Sequence, residues 1–296
     1  MRVTEKMIFE SSIAHTERSR ENLDQAQNEV ASGTRVQHPG DDPVAAALSV
    51  GHAVDKARFT AVGDSAQKAV DELTAADNAL DGITTVADRA QVIATQFGND
   101  SYSAADRAAA GVEVDGLFKE AVSLLNTTYG GRYIFGGFKD NAPPFDPTGA
   151  YVGDDNIRTV EVAPGLYQQA SVDANAIVKG SNGGVDLLQT LTNLSAALKT
   201  NDGAGVRAGL DNVNVAINQL AAGRTQAGMA QDAFQSAVTT AQTAASDETV
   251  KIGKLLDADI LDASTRLASA QYALNATLTA SAKTLGMSLA DKLPLS

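Results

Sequence analysis

Residues 256–293 read LDADILDASTRLASAQYALNATLTASAKTLGMSLADKL. Apolar side chains recur there at alternating steps of four and three residues: Leu256, Ile260, Ala263, Leu267, Ala270 and Leu274. Leu278, Leu285 and Leu289 continue this row, and a proline follows only at Pro294. The spacing predicts a helix with a narrow apolar seam that packs against another helix. Such a helix is marginal alone in water, so the sequence predicts a partner for it.

The N-terminal end of the chain carries a weaker seam of the same kind. Phe9, Ile13, Leu23 and Val30 keep the register. Polar side chains occupy the steps between them, as at Thr16, Arg20 and Gln27. We expect a helix here that depends on a partner, and we assign these four apolar residues, with those of the C-terminal seam, to an assembly seam.

Two further long helices are expected after the first one. Gly33 is a natural terminator for the first helix. Asp42 as N-cap and Pro43 at the first helical position form a strong helix start, because proline lacks the N–H that would be unpaired there. Apolar periodicity then predicts one helix to about Phe97 and a second that ends near Tyr129.

Residues 132–182 differ from the rest of the chain. Glycine and proline pairs punctuate them, and residues 159–162 alternate in polarity, which predicts a small, mostly β insert. Helical spacing returns at Val185, breaks at residues 201–203, and then runs with little interruption into the C-terminal helix.

The predicted fold is therefore mainly α: a long, coiled-coil-like helical rod formed by the N- and C-terminal parts of the chain, with a small, mostly β domain inserted in the middle. We divide the chain into three parts. Residues 1–40 with 256–296 form terminal helices that are mobile in the monomer. Residues 41–131 with 183–255 form the helical rod, and residues 132–182 form the inserted outer domain.

Composition narrows the function classes. The 296 residues include 23 Lys and Arg against 36 Asp and Glu, a net charge of −13, which argues against nucleic acid as a partner. No run approaches the roughly 18 apolar residues of a membrane span, and the first residues lack the apolar core of a cleavable signal peptide. Cysteine is absent. By composition alone we expect a cytoplasmic protein.

Candidate chemical sites in the sequence all have plainer explanations. The glycine-rich residues 203–209 follow a helical segment rather than a strand, so they predict a turn and a helix start and not a dinucleotide loop. Asp257, Asp259 and Asp262 lack calcium-loop spacing and are interpreted as a solvated helix face. The three histidines share no ligand spacing. We expect no catalytic residues, no cofactor and no metal.

Three stretches together resemble the flagellin family. The first comprises SGTRV at residues 32–36 and DDPVAAA at 41–47, the second GRYIFGGF at 131–138 and PPF at 143–145, and the third DAD at 257–259 and SLADKL at 288–293. The version with Asp41, Asp42 and Pro43 is typical of the members that stand between hook and filament. The resemblance covers both ends and the middle of the chain.

This resemblance implies a structural protein of the bacterial flagellum that forms the junction between hook and filament. It implies export without signal cleavage, which reverses the cytoplasmic expectation. The implied partners are further copies in a ring or tubular layer, a hook-side junction protein, filament flagellin and a cytoplasmic export chaperone on the C-terminal helix. Filament flagellin itself is one alternative function. A soluble coiled-coil scaffold or signalling protein is an alternative of another class.

Overall fold

The computed structural model describes residues 5–99, 101–163 and 165–290. Over these residues the helices are α1 (Glu5–Ser32), α2 (Pro43–Phe97), α3 (Ala104–Leu125), α4 (Ala174–Val178), α5 (Leu187–Lys199), α6 (Gly203–Leu256) and α7 (Ile260–Ala290). The strands are β1 (Thr128–Tyr129), β2 (Arg132–Tyr133), β3 (Thr159–Ala163) and β4 (Leu166–Gln169). The predicted mainly helical fold is confirmed. In the part of the chain described, no helix has the length and apolar character to cross a membrane.

The chain divides into two compact units. The terminal unit comprises Met1–Arg58 and Ala244–Ser296, and the central unit comprises Phe59–Thr243. The boundaries fall within α2 and α6, which therefore contribute residues to both units. The three-part division expected from the sequence stays a prediction.

Local sequence explains where the long helices begin and end. Gly33 follows α1 with φ +71°, a left-handed conformation that glycine adopts without a steric penalty. The side chain of Asp42 accepts a hydrogen bond from the backbone N–H of Ala45 at 3.0 Å, and α2 starts at Pro43. Helix α3 starts with a capping box in which Ser103 and Asp106 each accept from the other's backbone N–H.

The central unit holds the main core. Helices α2, α3, α5 and α6 supply many of its fully buried side chains: among them are Leu80, Ile83, Val114, Leu125, Leu191, Leu194, Val213 and Leu220. Helices α3 and α5 approach closely because Gly111 has no side chain, and Ser195 Oγ lies 3.0 Å from the Gly111 carbonyl oxygen. A second cluster surrounds Phe234, which packs with Leu73 and Val70.

Residues 132–182 are held against this core. Strands β3 and β4 pair antiparallel, with a register shift between Glu161 and Ala163, and much of the remaining insert consists of turns. Phe135, Phe145 and Val178 are buried in the same cluster as Leu80 and Leu191, while Ala170 joins the Phe234 cluster. Both backbone groups of Phe145 bond to the Asn126 side chain, at 2.9 and 3.0 Å.

Two polar residues of α6, Arg224 and Gln231, have partners on α2. Arg224 Nε donates to Asp77 Oδ1 at 2.9 Å, and Arg224 Nη1 donates to Asp81 Oδ1 at 2.6 Å. The pKa of the Arg224 guanidinium is raised, and its hydrogen bond to Asp77 is the main cause. Gln231 Nε2 donates to Thr74 Oγ1 at 2.9 Å. Each of these polar side chains is therefore hydrogen-bonded to a partner on the facing helix.

The expected run of α6 into the C-terminal helix is wrong at residues 257–259. Helix α6 ends at Leu256, and Asp259 Oδ1 accepts from the N–H groups of Leu261 and Asp262 at 2.9 and 3.3 Å, which starts α7. Asp259 is thus a cap and not part of a solvated helix face. The seam could not reveal the break, because Leu256 and Ile260 keep a step of four either way. Residues 291–293 of the predicted helix lie outside the described residues.

Candidate assembly surface

Helices α1 and α7 pack side by side in the terminal unit through small polar contacts. Ser12 Oγ donates to Ser281 Oγ at 2.5 Å, and the hydroxyl oxygens of Ser19 and Thr277 lie 3.2 Å apart. An open groove between the helices is lined by further polar side chains, including His15 and Asn22. Hydroxyl contacts each contribute little net stability, about 0.5–1.5 kcal/mol.

An ion pair between Arg266 and Glu29 reinforces this polar interface. Arg266 Nη2 of α7 lies 2.9 Å from Glu29 Oε1 of α1, and it also contacts Asp262 at 2.8 Å on its own helix. Glu29 is only 5% exposed, so its carboxylate depends on the nearby guanidinium for charge compensation. Arg266 itself stays partly exposed. The pair therefore ties the last turns of α1 to the first turns of α7.

The predicted assembly-seam residues fall into three groups. Four are exposed: Phe9 at 48%, Ile13 at 43%, Ile260 at 55% and Leu278 at 45%. Five are half-buried: Leu23, Val30, Leu256, Leu267 and Leu274. Leu285 and Leu289 lie within α7, but their side chains are outside the description. The two helices therefore leave a substantial part of the seam uncovered.

Among the described side chains of α1 and α7, the buried ones are Ala26, Glu29 and Ala263. Small and charged residues thus lie where α1 and α7 come closest to each other, and the larger apolar side chains lie outside that region. Burying a Leu, Ile or Phe side chain contributes about 1.5–3 kcal/mol. The exposed members of the seam consequently leave that contribution unrealised within this chain.

The sequence pattern missed a second exposed apolar row on α7. Leu261 and Tyr272 are among its most exposed side chains. They lie eleven residues apart, which is about three helical turns, so both point from one face of α7. An eleven-residue spacing indicates such a row, whereas the four-and-three spacing of the seam includes neither residue. Met7 of α1 is likewise exposed and was not assigned to the seam.

The loop that follows α1 and the short link between α6 and α7 are joined by backbone hydrogen bonds. The N–H groups of Arg35 and Val36 both donate to the Leu256 carbonyl oxygen, at 2.7 and 3.2 Å. In return, Ala258 N–H donates to the Gly33 carbonyl oxygen at 2.9 Å. These contacts form a paired break, residues 33–36 with 256–258, that fixes where α1 and α7 leave their neighbouring helices.

Two adjacent aspartates stabilise this paired break. Asp41 accepts from the N–H groups of His38 and Gln37, and these bonds hold the pKa of its carboxyl below the usual value. The pKa of the Asp42 carboxyl is also lowered. The hydrogen bond from the Ala45 N–H is the main cause, and the one from the Arg35 side chain is the second. Arg35 also donates to the Leu255 carbonyl oxygen at 3.0 Å. Asp41 therefore organises the loop that precedes α2.

Comparison with known proteins places this arrangement in a family. Residues 5–140 match the family described as bacterial flagellin N-terminal helical region. Flagellar hook-associated protein 3 of Salmonella typhimurium is 30% identical over 213 residues, which cover 68% of this chain and 67% of that protein. The protein of the same name from Escherichia coli is 27% identical over 98% of both chains. A flagellin from Listeria innocua is 24% identical over 82% of this chain and 90% of its own.

Solved structures share the fold. A flagellar hook-associated protein from Vibrio parahaemolyticus aligns with a TM-score of 0.65 at 20% identity, covering 74% of this chain and 98% of its own. FlgL of Bacillus cereus aligns with a TM-score of 0.55 at 24% identity, covering 69% and 99%. The resemblance to the flagellin family is confirmed, and flagellin proper is the more distant relative. The chain belongs to the flagellar hook-associated protein 3 family.

Proposed function

We propose that this chain is a structural, non-enzymatic protein of the bacterial flagellum, and that it forms the junction between hook and filament. The observation that carries this proposal is the partly uncovered apolar seam on α1 and α7, in a chain related to flagellar hook-associated proteins. Copies assemble when the exposed side chains of these two helices become buried against neighbouring copies. The terminal helices, residues 1–40 and 256–296, then form the inner tube.

The energetics support assembly through these helices rather than a closed monomer. Among the described residues, the α1–α7 contacts include hydroxyl pairs and the Glu29–Arg266 ion pair, which hold the helices side by side while Phe9 and Leu278 stay exposed. Phe9, Ile13 and Leu278 would each gain about 1.5–3 kcal/mol from full burial. Neighbouring subunits in a ring or tubular layer supply that burial, so association follows from the same seam that the sequence contains.

A position between hook and filament implies further partners for this protein. A hook-side junction protein contacts one end of the layer, and filament flagellin contacts the other. A cytoplasmic export chaperone covers the C-terminal helix before export, because its exposed apolar side chains would otherwise associate early. The protein reaches the outside of the cell without signal cleavage and stays in the flagellum.

Two alternatives make different predictions. A filament flagellin would polymerise into long filaments, and its identity to this chain is lower than that of the hook-associated proteins. A soluble coiled-coil scaffold would form a stable dimer with no ring or tube. Electron microscopy of cells that lack this protein, combined with an assay of flagellin in the medium, distinguishes the three. Loss of a junction protein leaves bare hooks and flagellin in the medium, and loss of the filament flagellin itself leaves bare hooks without flagellin in the medium. Loss of a soluble scaffold leaves filaments attached to hooks.

The proposal is tested with Phe9→Asp and Leu278→Asp. Both side chains are exposed in the monomer, so each variant should keep the wild-type melting temperature, yet a charge in a closed seam should abolish incorporation. Val112→Asp is the matched control, because Val112 is an exposed apolar residue on α3. The readouts are filament attachment, and the amount of exported protein in the medium.

Attached filaments at wild-type frequency with both Phe9→Asp and Leu278→Asp would refute the role of α1 and α7. Hydrogen exchange on a confirmed monomer gives a second test. We expect weak protection of α1 and α7 compared with α3 and α5. Protection of residues 260–290 equal to that of α5 would mean that the seam is already satisfied within one chain.

A further inference from the structure

A histidine and two carboxylates meet in the terminal unit between α2 and α6. His52 and Asp55 lie three residues apart on α2, which places them on neighbouring turns of one helix face. Glu248 reaches the same point from α6, although 196 residues separate it from His52. Among the residues that the structure describes, these three form a set whose donor atoms could hold a metal ion.

The donor atoms are close and partly shielded from water. His52 Nδ1 lies 2.6 Å from Glu248 Oε2, and one donor atom from each of the three residues lies within 4.8 Å of the others. The Glu248 side chain is 9% exposed, whereas Asp55 is exposed at the mouth of the cluster. The other Glu248 oxygen accepts from Lys251 Nζ at 2.6 Å. Glu248 is thus oriented by a second residue while it faces His52.

We propose that His52, Asp55 and Glu248 form a binding site for a divalent transition-metal cation of the zinc class. One imidazole nitrogen and two carboxylate oxygens match the mixed ligands that zinc accepts, with water in the fourth position. Calcium and magnesium prefer oxygen ligands throughout, so the histidine selects against them. The two carboxylates balance the double positive charge of the ion.

Only small movements are needed to accept the ion. Ligands about 2.1 Å from a tetrahedral zinc lie roughly 3.4 Å from one another. His52 and Glu248 therefore separate slightly, and the exposed Asp55 side chain closes in from its present position within 4.8 Å. The proton that joins Nδ1 to Glu248 leaves for Nε2 or for solvent. Lys251 keeps its bond to the second Glu248 oxygen and orients the carboxylate, as outer partners of metal ligands commonly do.

The site would act as a clip between α2 and α6. Its ligands come from two helices of the terminal unit, so the ion binds the folded chain more tightly than the unfolded one. Zinc should consequently raise the melting temperature of the protein. This effect belongs to the monomer and does not depend on the assembly proposed above.

The test uses the full, untagged chain and zinc chloride as the probe. Calorimetric titration should show one zinc per chain, with magnesium giving no binding at equal concentration. His52→Gln and Asp55→Asn should each weaken zinc binding at least tenfold. Asp55→Asn removes an exposed ligand and preserves the fold, so it remains informative if His52→Gln unfolds. His38→Gln is the matched control, because His38 is an exposed histidine outside the cluster.

Binding of one zinc that His38→Gln retains, and that both cluster variants lose, supports the site. Absence of binding to the wild-type chain overturns the proposal. Binding that Asp55→Asn and His52→Gln leave unchanged also overturns it, because the zinc would then be held elsewhere. A melting temperature that zinc leaves unchanged despite one-to-one binding would refute the clip between the helices.

Discussion

The α1–α7 pair and the α3–α5 pair show how similar helix pairings can have opposite characters. Helices α3 and α5 meet through Gly111 and a row of fully buried leucines on α5. Helices α1 and α7 meet through hydroxyl groups, alanines and the Glu29–Arg266 ion pair, while Phe9 remains exposed. The α3–α5 pair lies in a core to which α2, α6 and the insert contribute side chains. An apolar seam forms a core only where further elements cover it.

This difference assigns different roles to equivalent residue types. A leucine on α5 stabilises the monomer, because its side chain is already buried. A leucine such as Leu278 on α7 contributes little until something covers it. The comparison therefore predicts large losses of stability from changes in the central unit and small ones from changes in the terminal seam.

The largest contrast is expected between two phenylalanines. Phe234→Ala removes a fully buried ring from the cluster with Leu73 and should lower the free energy of unfolding by about 3–5 kcal/mol. Phe9→Ala removes a half-exposed ring and should change it by less than about 0.5 kcal/mol. Urea denaturation followed by circular dichroism measures both. Equal losses would show that α1 already belongs to a closed core.

Two glycines on α3 test how closely this helix packs against α5. A Cβ at Gly111 would lie 2.8 Å from Lys199 Cγ and 3.1 Å from the Ser195 carbonyl oxygen, so Gly111→Ala should cost about 1–3 kcal/mol. Gly116 has no atom within 4 Å of that position, and Gly116→Ala should stabilise by about 0.5–1 kcal/mol. Thermal unfolding of the two variants provides the measurement. Stabilisation by both would contradict close packing of α3 on α5.

The ion pair of the terminal interface should have a smaller, local effect. Arg266→Met leaves the buried Glu29 carboxylate without its cation, and we expect opening of α1 and α7 to become easier by about 1 kcal/mol. Hydrogen exchange localises the change. The double variant Glu29→Gln, Arg266→Met should recover part of the protection, since no buried charge remains. A uniform change across the central unit would argue against a local role.

The smallest expected effect is a pH dependence of the paired break. The pKa values of Asp41 and Asp42 are lowered in the folded chain, so their contribution to stability is present above the ordinary value of 3.8. It is lost as the pH falls through their lower folded values. Asp41→Asn with Asp42→Asn should therefore reduce the slope of melting temperature against pH below about pH 4. An unchanged slope would mean that other groups control acid unfolding.

Local signals in the sequence were sufficient to predict much of the fold. Gly33, Asp42 and Pro43 punctuate the helices through their own backbone chemistry, which acts without distant partners. The long apolar periodicity correctly predicted that α2 extends to Phe97, because a helix that buries one face must repeat its apolar positions along its length. The break before α7 was missed, since the step from Leu256 to Ile260 fits a continuous helix and a capped one alike.

The sequence by itself determined the helical class, the start of α2 and the family, because these depend on short-range chemistry and on shared motifs. Tertiary structure alone decided which seam is covered, since burial depends on elements far apart in the chain. The same holds for Glu29 with Arg266 and for His52 with Glu248. Their partners lie about two hundred residues away or more, and no spacing along one helix can show that folding brings such atoms within 3 Å.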